Sequence, residues 1–198
     1  MELTLEHYLN KNPKTHLIFD LDETLAYLIL PWNHYMDKIK DTLVKTDKKI
    51  YEKYINRNIN LSELQNLYVE NYGDQFKELF QENAVHFETH YLKKVVVNHK
   101  LINFILKDKN HKMFIWSSNT TPVIKKVLEE NKIYHKFKKI VTRLDVRLVK
   151  PSDEGFKKIY DPKISKNCYL FIGDSKVDLK AAQKAGIDFF PIDYFKTQ

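Results

Sequence analysis

Residues 17–24 read LIFDLDET and join an apolar run to two closely spaced carboxylates. The unbroken apolar run 17–19 is typical of a strand buried on both faces of a parallel sheet. Asp20 and Asp22 follow it directly, and side chains two residues apart on extended backbone point the same way. Both carboxylates could therefore reach one phosphate group or one metal ion. An acidic strand-to-loop turn, which Asp favours for local reasons, is the alternative at this stage.

The order of the later segments predicts an α/β fold. After residue 98, helical and strand-like patterns alternate. We predict helices that begin near residues 98, 121, 152 and 176, and strands at residues 113–116, 140–141, 169–172 and 189–192. This alternation implies a parallel sheet with helices on both faces, so we expect a three-layer, Rossmann-like core.

The stretch between the first strand and this alternating region has apolar residues at helical spacing. Asn60 has the side chain of a helix N-cap, and Gly73 marks a helix end. We therefore predict an all-helical cap at residues 27–91, inserted into a core made of residues 1–26 and 92–198.

The composition is that of a globular chain. With 198 residues, of which 43% are hydrophobic, it can bury one core of ordinary size. No apolar run approaches the roughly 20 residues of a membrane helix, and residues 1–11 lack the pattern of a signal peptide. We expect a cytoplasmic protein without a membrane partner, either a monomer or a weak dimer. Cys168 is the only cysteine, so no internal disulfide can form.

The net charge of +7 favours an anionic partner. Of the 33 basic residues only Arg57, Arg143 and Arg147 are arginines, whereas forked contacts to nucleic acid favour arginine. We therefore expect a small phosphorylated substrate, and a nucleic-acid partner is disfavoured. Arg143 and Arg147 flank the strand predicted near residue 140, where they could hold a second anionic group or pair with Asp145.

Two loops of the alternating region carry groups suited to phosphate. Ser118 and Asn119 follow a predicted strand, with Thr121 as the expected N-cap of the next helix and Pro122 at its first position. A hydroxyl beside a helix N-terminus suits a phosphate oxygen, because the exposed N–H groups and the helix dipole favour an anion. Lys150 supplies a cation at another loop. Taken singly, an ordinary helix start and a surface lysine explain these residues as well.

A further strand end is also acidic. Residues 173–178 read GDSKVD and follow the apolar run 169–172. Asp174 lies at the predicted strand end, where its carboxylate would suit Mg²⁺, an ion that keeps several waters as ligands. Asp178 fits two roles: it is the capping partner of Ser175 at the start of the next helix, or it supports the metal site.

Together these segments resemble the haloacid dehalogenase superfamily of hydrolases. The four family motifs are matched, in family order, by DLDET from Asp20, Ser118 with Asn119, Lys150 with Pro151, and GDSKVD from Gly173. The resemblance covers nearly all of the predicted core and implies a helical cap between the first and second motifs. One departure is Glu23, where many relatives have glycine.

The resemblance implies a Mg²⁺-dependent phosphatase that works through an aspartyl-phosphate intermediate. It implies Asp20 as the nucleophile and Asp22 as the general acid and base, and this second acid favours a phosphate monoester over a haloacid. It also implies that Ser118, Asn119 and Lys150 bind the phosphoryl group. Mg²⁺ would be held by Asp20, Asp174 and the main-chain carbonyl of Asp22. Thr24 and Asp178 would support these ligands without binding the metal themselves. The expected substrate is a small soluble metabolite or a nucleotide.

The predicted cap would control which substrate enters. Its aromatic residues near the junction, Tyr27, Trp32 and Tyr35, are candidate substrate contacts, although aromatics at helical spacing also fill helical cores. Two other functions stay open. One is a polynucleotide or protein phosphatase, which the basic charge favours but a cap would obstruct. The other is a non-catalytic phosphate- or nucleic-acid-binding module on the same fold.

Overall fold

The computed structural model describes residues 4–195, which form seven β-strands and nine α-helices. The strands are β1 (His16–Phe19), β2 (Ala26–Ile29), β3 (Lys94–Val97), β4 (Lys112–Trp116), β5 (Phe137–Val141), β6 (Tyr169–Gly173) and β7 (Asp188–Pro191). Five of them form one parallel sheet in the order β5-β4-β1-β6-β7, and β2 pairs with β3 in an antiparallel hairpin. The α/β fold with a parallel sheet, predicted from the sequence, is confirmed.

The helices begin and end close to the residues that the local sequence indicates. They are α1 (Leu5–Lys11), α2 (Lys40–Thr46), α3 (Lys48–Ile55), α4 (Leu61–Tyr72), α5 (Asp74–Tyr91), α6 (His99–Lys107), α7 (Thr121–Glu130), α8 (Glu154–Ile159) and α9 (Lys176–Ala185). Asn60 and Glu63 form a capping box at the start of α4, and Gly73, at φ +87°, separates α4 from α5. Within residues 4–195, no helix has the length and apolarity needed to cross a bilayer.

Strand β1 lies at the centre of the sheet. Phe19 pairs with Ile115 of β4 on one side and with Ile172 of β6 on the other. Leu17 and Phe19 pack with α6 and α7 on one face of the sheet, whereas Ile18 packs with α8 and α9 on the other face. Residues 17–19 of the strand are fully buried for this reason, which explains why this part of its sequence is apolar throughout. Because parallel strands end at the same edge, the residues after β1, β4 and β6 come together there.

The helices α2 to α5 lie between β2 and β3 in the chain. Leu64 of α4 and Phe80 of α5 join the apolar cluster that covers one face of the sheet. The helical pattern predicted from residue 27 onward is wrong at its start, because residues 27–29 belong to β2, and neither strand of the hairpin was predicted. Each has only four residues, which is too short for periodicity to distinguish a strand from a helical turn.

Candidate active site

The acidic strand ends meet at the carboxyl edge of the sheet. Asp20 directly follows β1, and its N–H donates to the carbonyl of Ile172 in β6 at 2.9 Å. Asp174 directly follows β6. On the other side of β1, the N–H of Ser117 donates to the carbonyl of Val141 at the end of β5 at 3.0 Å. Segments far apart in the sequence therefore converge at the edge where parallel α/β sheets bind ligands.

Asp20, Lys150 and Asp178 form a buried ion cluster at this edge. Lys150 Nζ lies 2.8 Å from Asp20 Oδ1 and 2.5 Å from Asp178 Oδ1. Lys150 is only 3% exposed, so the surface role that a single lysine would suggest is excluded. Burial by itself lowers the pKa of Lys150, but Asp178 and Asp20 outweigh burial and raise the pKa above its usual value. The ammonium group is therefore charged at neutral pH.

Asp178 caps a helix, as one of its two predicted roles requires, and it also pairs with Lys150; its support of a metal site stays a prediction. Its Oδ2 accepts hydrogen bonds from the N–H and the hydroxyl of Ser175, at 3.2 and 2.6 Å, in a capping box that starts α9. Its Oδ1 accepts from Lys150. Gly173 permits this close packing, because a Cβ atom added there would lie 2.8 Å from Asp178 Cβ. One carboxylate therefore caps the helix and holds the lysine beside Asp20.

The carboxylates of Asp20, Asp174 and Asp178 offer a set of oxygen donors for a metal ion. One oxygen from each lies within 4.8 Å of the others. Asp20 Oδ1 is buried and makes no well-oriented hydrogen bond despite its ion pair, so it keeps acceptor capacity for a cation. A donor set made only of oxygens fits Mg²⁺. The side chain of Asp22 is not part of this set, so its predicted contribution to the metal is limited to the main-chain carbonyl.

Asp22 and Asp20 differ in their tendency to hold a proton. The carboxylate of Asp22 turns toward β2, where its Oδ1 accepts from the N–H of Leu28 at 2.8 Å. Burial raises the pKa of Asp22 to about 8, although the Leu28 bond opposes the shift. Burial also raises the pKa of Asp20, to about 6, with Lys150 opposing. Near neutral pH Asp22 thus carries a proton while Asp20 is largely ionised, which is the arrangement of a proton donor beside an anionic group.

The loop after β4 holds most of its polar side chains in protein contacts. Ser117 Oγ donates to Asn119 Oδ1 at 2.9 Å, and Asn119 Nδ2 donates to Glu88 Oε1 at 3.0 Å. Ser117 and Asn119 are buried, whereas Ser118, the predicted phosphate ligand, is half-buried. Phosphate binding by Ser118 and Asn119 stays a prediction, and Ser118 is the one of the two with more solvent access.

Glu88, in α5, is a candidate functional residue that the sequence did not indicate. Its Oε2 accepts from the N–H of Thr120 at 2.8 Å and from the Thr120 hydroxyl at 2.5 Å. Thr120 is the N-cap of α7, and the predicted N-cap, Thr121, is wrong by one residue. Thr120 makes no side-chain cap of its own, so the carboxylate of Glu88 satisfies the helix end instead. A glutamate inside a helical pattern gives no sign of a partner 32 residues away.

We expect Glu88→Gln to destabilise the protein by about 2 kcal/mol, because the amide replaces one of the two acceptor oxygens with a donor. Because Asn119, a predicted phosphate ligand, and Thr120 lose part of their support, inorganic phosphate should also bind several-fold more weakly. Urea unfolding and isothermal titration with phosphate measure the two effects. Glu82→Gln is the matched control, since Glu82 is exposed on the same helix. Equal effects of the two substitutions would contradict the role of Glu88.

Glu23 adopts a left-handed backbone conformation. Its φ is +57°, in the region where a residue with a Cβ atom is disfavoured and glycine is not. The residue follows Asp22 in the tight turn that leads to β2. This conformation gives a physical reason why glycine suits the position.

We expect Glu23→Gly to stabilise the protein by about 0.5–1 kcal/mol. The relief of about 1–2 kcal/mol of backbone strain exceeds the added entropy of the unfolded chain. Glu70→Gly, in the right-handed backbone of α4, should instead destabilise by about 1 kcal/mol. Thermal melting of both variants tests the expectation, and a lower melting temperature for Glu23→Gly would contradict it.

The other predicted site residues lie in different environments. Thr24 is fully buried, and its carbonyl accepts from Asn98 Nδ2 at 3.0 Å. Tyr27 and Trp32 are 39% and 43% exposed, whereas Tyr35 is buried. Trp32 lines an open groove of about 750 Å³ on the helical insert, which is large enough for a small ligand. The substrate contacts of these residues stay predictions.

The pairing of Arg143 or Arg147 with Asp145, one of two predicted alternatives, is wrong. Asp145 Oδ2 accepts from the N–H and the hydroxyl of Thr142, both at 2.8 Å. Arg147 pairs with Asp74 at 2.7 Å. Arg143 is buried, and its guanidinium donates only to uncharged side chains among residues 4–195.

The comparison with family models identifies the class of protein that this fold and site define. The model described as haloacid dehalogenase-like hydrolase matches residues 17–192. The chain therefore belongs to the haloacid dehalogenase-like hydrolases, as its four motifs indicated. A search of curated proteins gives no match.

Solved structures of the same family share the fold. A haloacid dehalogenase-like hydrolase from Bacteroides fragilis is 22% identical with a TM-score of 0.63, over 91% of this chain and 88% of that chain. A hydrolase of the family from Bacillus subtilis, bound to magnesium, is 20% identical with a TM-score of 0.54, over 91% and 87%. A predicted phosphoglycolate phosphatase from Haemophilus somnus is 20% identical with a TM-score of 0.55, over 91% and 86%. At these identities the likeness shows the fold alone.

Proposed function

We propose that this protein is a Mg²⁺-dependent phosphomonoesterase that acts on a small phosphorylated metabolite or a nucleotide. The observation that carries the proposal is the buried pairing of Asp20 with Lys150, close to Asp22, whose pKa burial raises to about 8. Phosphoryl transfer to a carboxylate needs a nucleophile, a cation near the transferring group and an acid for the leaving oxygen. Family membership supports the same assignment.

In the first half of the reaction, an Asp20 oxygen attacks phosphorus as the bond from phosphorus to the ester oxygen breaks. Asp22 gives its proton to that ester oxygen, so the alcohol leaves uncharged. Lys150 and Ser118 bind the oxygens of the transferring phosphoryl group, and the ammonium offsets their negative charge. The products of this half are an aspartyl phosphate on Asp20 and the free alcohol.

In the second half, Asp22 is a carboxylate and takes a proton from water as the water oxygen attacks phosphorus. The bond between phosphorus and Asp20 breaks, which restores the Asp20 carboxylate and releases inorganic phosphate. The N–H of Leu28 keeps Asp22 oriented through both halves. Asp20, Asp174 and the Asp22 carbonyl would hold Mg²⁺, with Asp178 in support. When bound, Mg²⁺ supplies the positive charge that lets an anionic nucleophile approach an anionic phosphoryl group.

The position of the helical insert favours a small substrate over a polymer. Among the described residues, we assign helices α2 to α5 to a cap and the parallel sheet with its flanking helices to the core. Asn66 of the insert exchanges two hydrogen bonds with the main chain of Val149, at 2.8 and 3.0 Å, directly beside Lys150. Because the insert is hydrogen-bonded so close to Lys150, it leaves little room at the carboxyl edge of the sheet for a polynucleotide or for the surface of another protein.

Two of the structural relatives support the finer points of the proposal by analogy. The Bacillus subtilis hydrolase binds magnesium, in agreement with the oxygen donors found here. The Haemophilus somnus protein is a predicted phosphoglycolate phosphatase, and phosphoglycolate is a small phosphomonoester.

The proposal is tested by the release of phosphate from 4-nitrophenyl phosphate. We expect turnover in the presence of Mg²⁺ and its loss when the metal is removed with a chelator, because the single charge of Lys150 does not offset the combined negative charge of Asp20, Asp174, Asp178 and the phosphate. Turnover should return when Mg²⁺ is added back. Absence of phosphate release from this ester and from a panel of phosphorylated metabolites would overturn the proposal.

A further inference from the structure

Two histidines form a stacked pair near the end of α5. His86 and His90 are one helical turn apart, so their side chains leave the same face of the helix. Their ring centroids are 4.2 Å apart and their planes are inclined by 28°. Histidines at this spacing on a helix can bind one metal ion together. Glu88, which lies between them in the sequence, is buried and points to Thr120 instead.

A hydrogen bond within the histidine pair fixes which nitrogen His90 offers to a ligand. Its Nδ1 lies 2.9 Å from the main-chain carbonyl oxygen of His86. Because a carbonyl oxygen can only accept, Nδ1 must carry the hydrogen, and the lone pair of the neutral ring is on Nε2. Histidines that bind metals are typically oriented in this way, by an Nδ1–H that donates to a carbonyl or a carboxylate. His90 is therefore already in the tautomer that a metal ion requires.

Glu82 offers a third ligand on the same face of α5. It lies one turn before His86, and both histidines and Glu82 line one open groove of about 490 Å³. Among the described residues that line this groove, none is a lysine or an arginine, so no positive side chain there opposes a cation. The three side chains are not as close together as the carboxylates at the reaction edge. Because Glu82 is exposed, its side chain can turn toward the rings.

The types of ligand at this groove select a different metal from the one expected at the reaction edge. Two imidazole nitrogens and one carboxylate, with a further position open to water, form a set that binds Zn²⁺. Mg²⁺ instead prefers a set made only of oxygens, such as the carboxylates of Asp20, Asp174 and Asp178. Imidazole also suits Cu²⁺, which can therefore serve as a spectroscopic substitute for Zn²⁺.

We propose that His86 and His90, with Glu82 turned toward them, bind one Zn²⁺ ion on the exposed face of α5. This inference does not rest on the proposed phosphatase function, since none of the three residues takes part in that reaction. An ion bound here would join successive turns of the helix from which Glu88 reaches the loop after β4.

The first test is isothermal titration of Zn²⁺ into protein without a histidine tag, in a phosphate-free buffer that contains excess Mg²⁺. We expect the parent protein to bind one Zn²⁺ ion at the histidine pair. His86→Gln and His90→Gln should each weaken this binding by at least about 10- to 100-fold, the loss that even an outer partner of a metal site causes. His99→Gln, at an exposed histidine in the first turn of α6, is the matched control and should bind like the parent.

Electron paramagnetic resonance of the Cu²⁺-loaded protein identifies the ligands directly. The parent spectrum should show splitting from two imidazole nitrogens, and each single histidine variant should show splitting from one. Glu82→Gln should keep the splitting from two nitrogens but bind Zn²⁺ several-fold more weakly, because it replaces a carboxylate with a neutral amide. This variant keeps both rings, so it tests the third ligand separately from the histidine pair.

Three results would overturn the inference. The first is no binding of Zn²⁺ by the parent protein. The second is equal affinity in the parent and in both histidine variants, which would place the ion at the acidic cluster. The third is an equal loss of affinity in His99→Gln and His86→Gln, which would indicate binding to exposed histidines in general. No step of the test needs turnover, so its result is independent of whether the protein hydrolyses a phosphate ester.

Discussion

Asp20→Asn should abolish phosphate release from every ester that the parent protein hydrolyses, with a loss of about 10⁴- to 10⁶-fold in kcat. The amide oxygen of asparagine is a poor nucleophile, so the aspartyl phosphate cannot form. Rapid quench with a ³²P-labelled ester should trap an acid-stable phosphoprotein in the parent and none in the variant. A kcat within about 100-fold of the parent value would contradict Asp20 as the nucleophile.

The loss of activity in Asp20→Asn should not come from unfolding. Burial raises the pKa of Asp20 to about 6, above its usual value, so the ionised carboxylate costs stability in the metal-free protein at neutral pH. The sign follows from linkage: a carboxyl with a raised folded pKa destabilises the fold once the pH exceeds its unfolded pKa. In chelator, the variant should therefore melt at or above the temperature of the parent. Asp41→Asn, which changes an exposed aspartate in α2, is the control for a substitution without catalytic effect.

The parts of the fold that the sequence predicted are those governed by local rules. The run at residues 17–19 indicated a central strand because a strand buried on both faces has only apolar side chains. Asn60 with Glu63 indicated the start of α4 because a capping box acts within one helical turn. The hairpin of β2 and β3 was missed because its pairing joins residues about 70 positions apart and each strand is too short to show a period.

The residues of the candidate site also fall into two groups, those that local sequence patterns indicate and those that only long-range contacts reveal. Asp20, Lys150 and Asp174 stand at strand ends or loops, where spacing and motif order draw attention to them. Glu88 lies inside a helix and gives no such signal. Arg143 follows β5 and was a predicted anion contact, but its pairing with Tyr35 and Gln65 depends on how the insert packs over the sheet. The bond from Arg143 to Tyr35 spans 108 residues, and no local pattern encodes it. The sequence also could not assign a single role to Asp178. Only the structure shows that one of its oxygens accepts from Lys150 and the other from Ser175.

Lys150→Met should lower kcat/KM by about 10²- to 10³-fold, because the variant loses the charge that faces the phosphoryl group. It should also destabilise the protein by about 3–5 kcal/mol, since removal of one partner from a buried ion pair leaves the other without compensation. Here two carboxylates lose their partner, as Lys150 contacts both Asp20 and Asp178. Urea unfolding measures the stability loss, and Lys157→Met, an exposed lysine paired with Asp153, should unfold like the parent.

The double variant Lys150→Met with Asp178→Asn separates the two effects of Lys150. Neutralising Asp178 removes one of the uncompensated charges, while the asparagine oxygen can still accept from Ser175 at the start of α9. We therefore expect the double variant to regain part of the lost stability but none of the lost activity. The two functions of the cluster would then be distinct: Asp178 holds the lysine in place, and the lysine charge acts on the phosphoryl group. Unfolding of Lys150→Met at the same urea concentration as the parent would contradict the buried ion cluster itself.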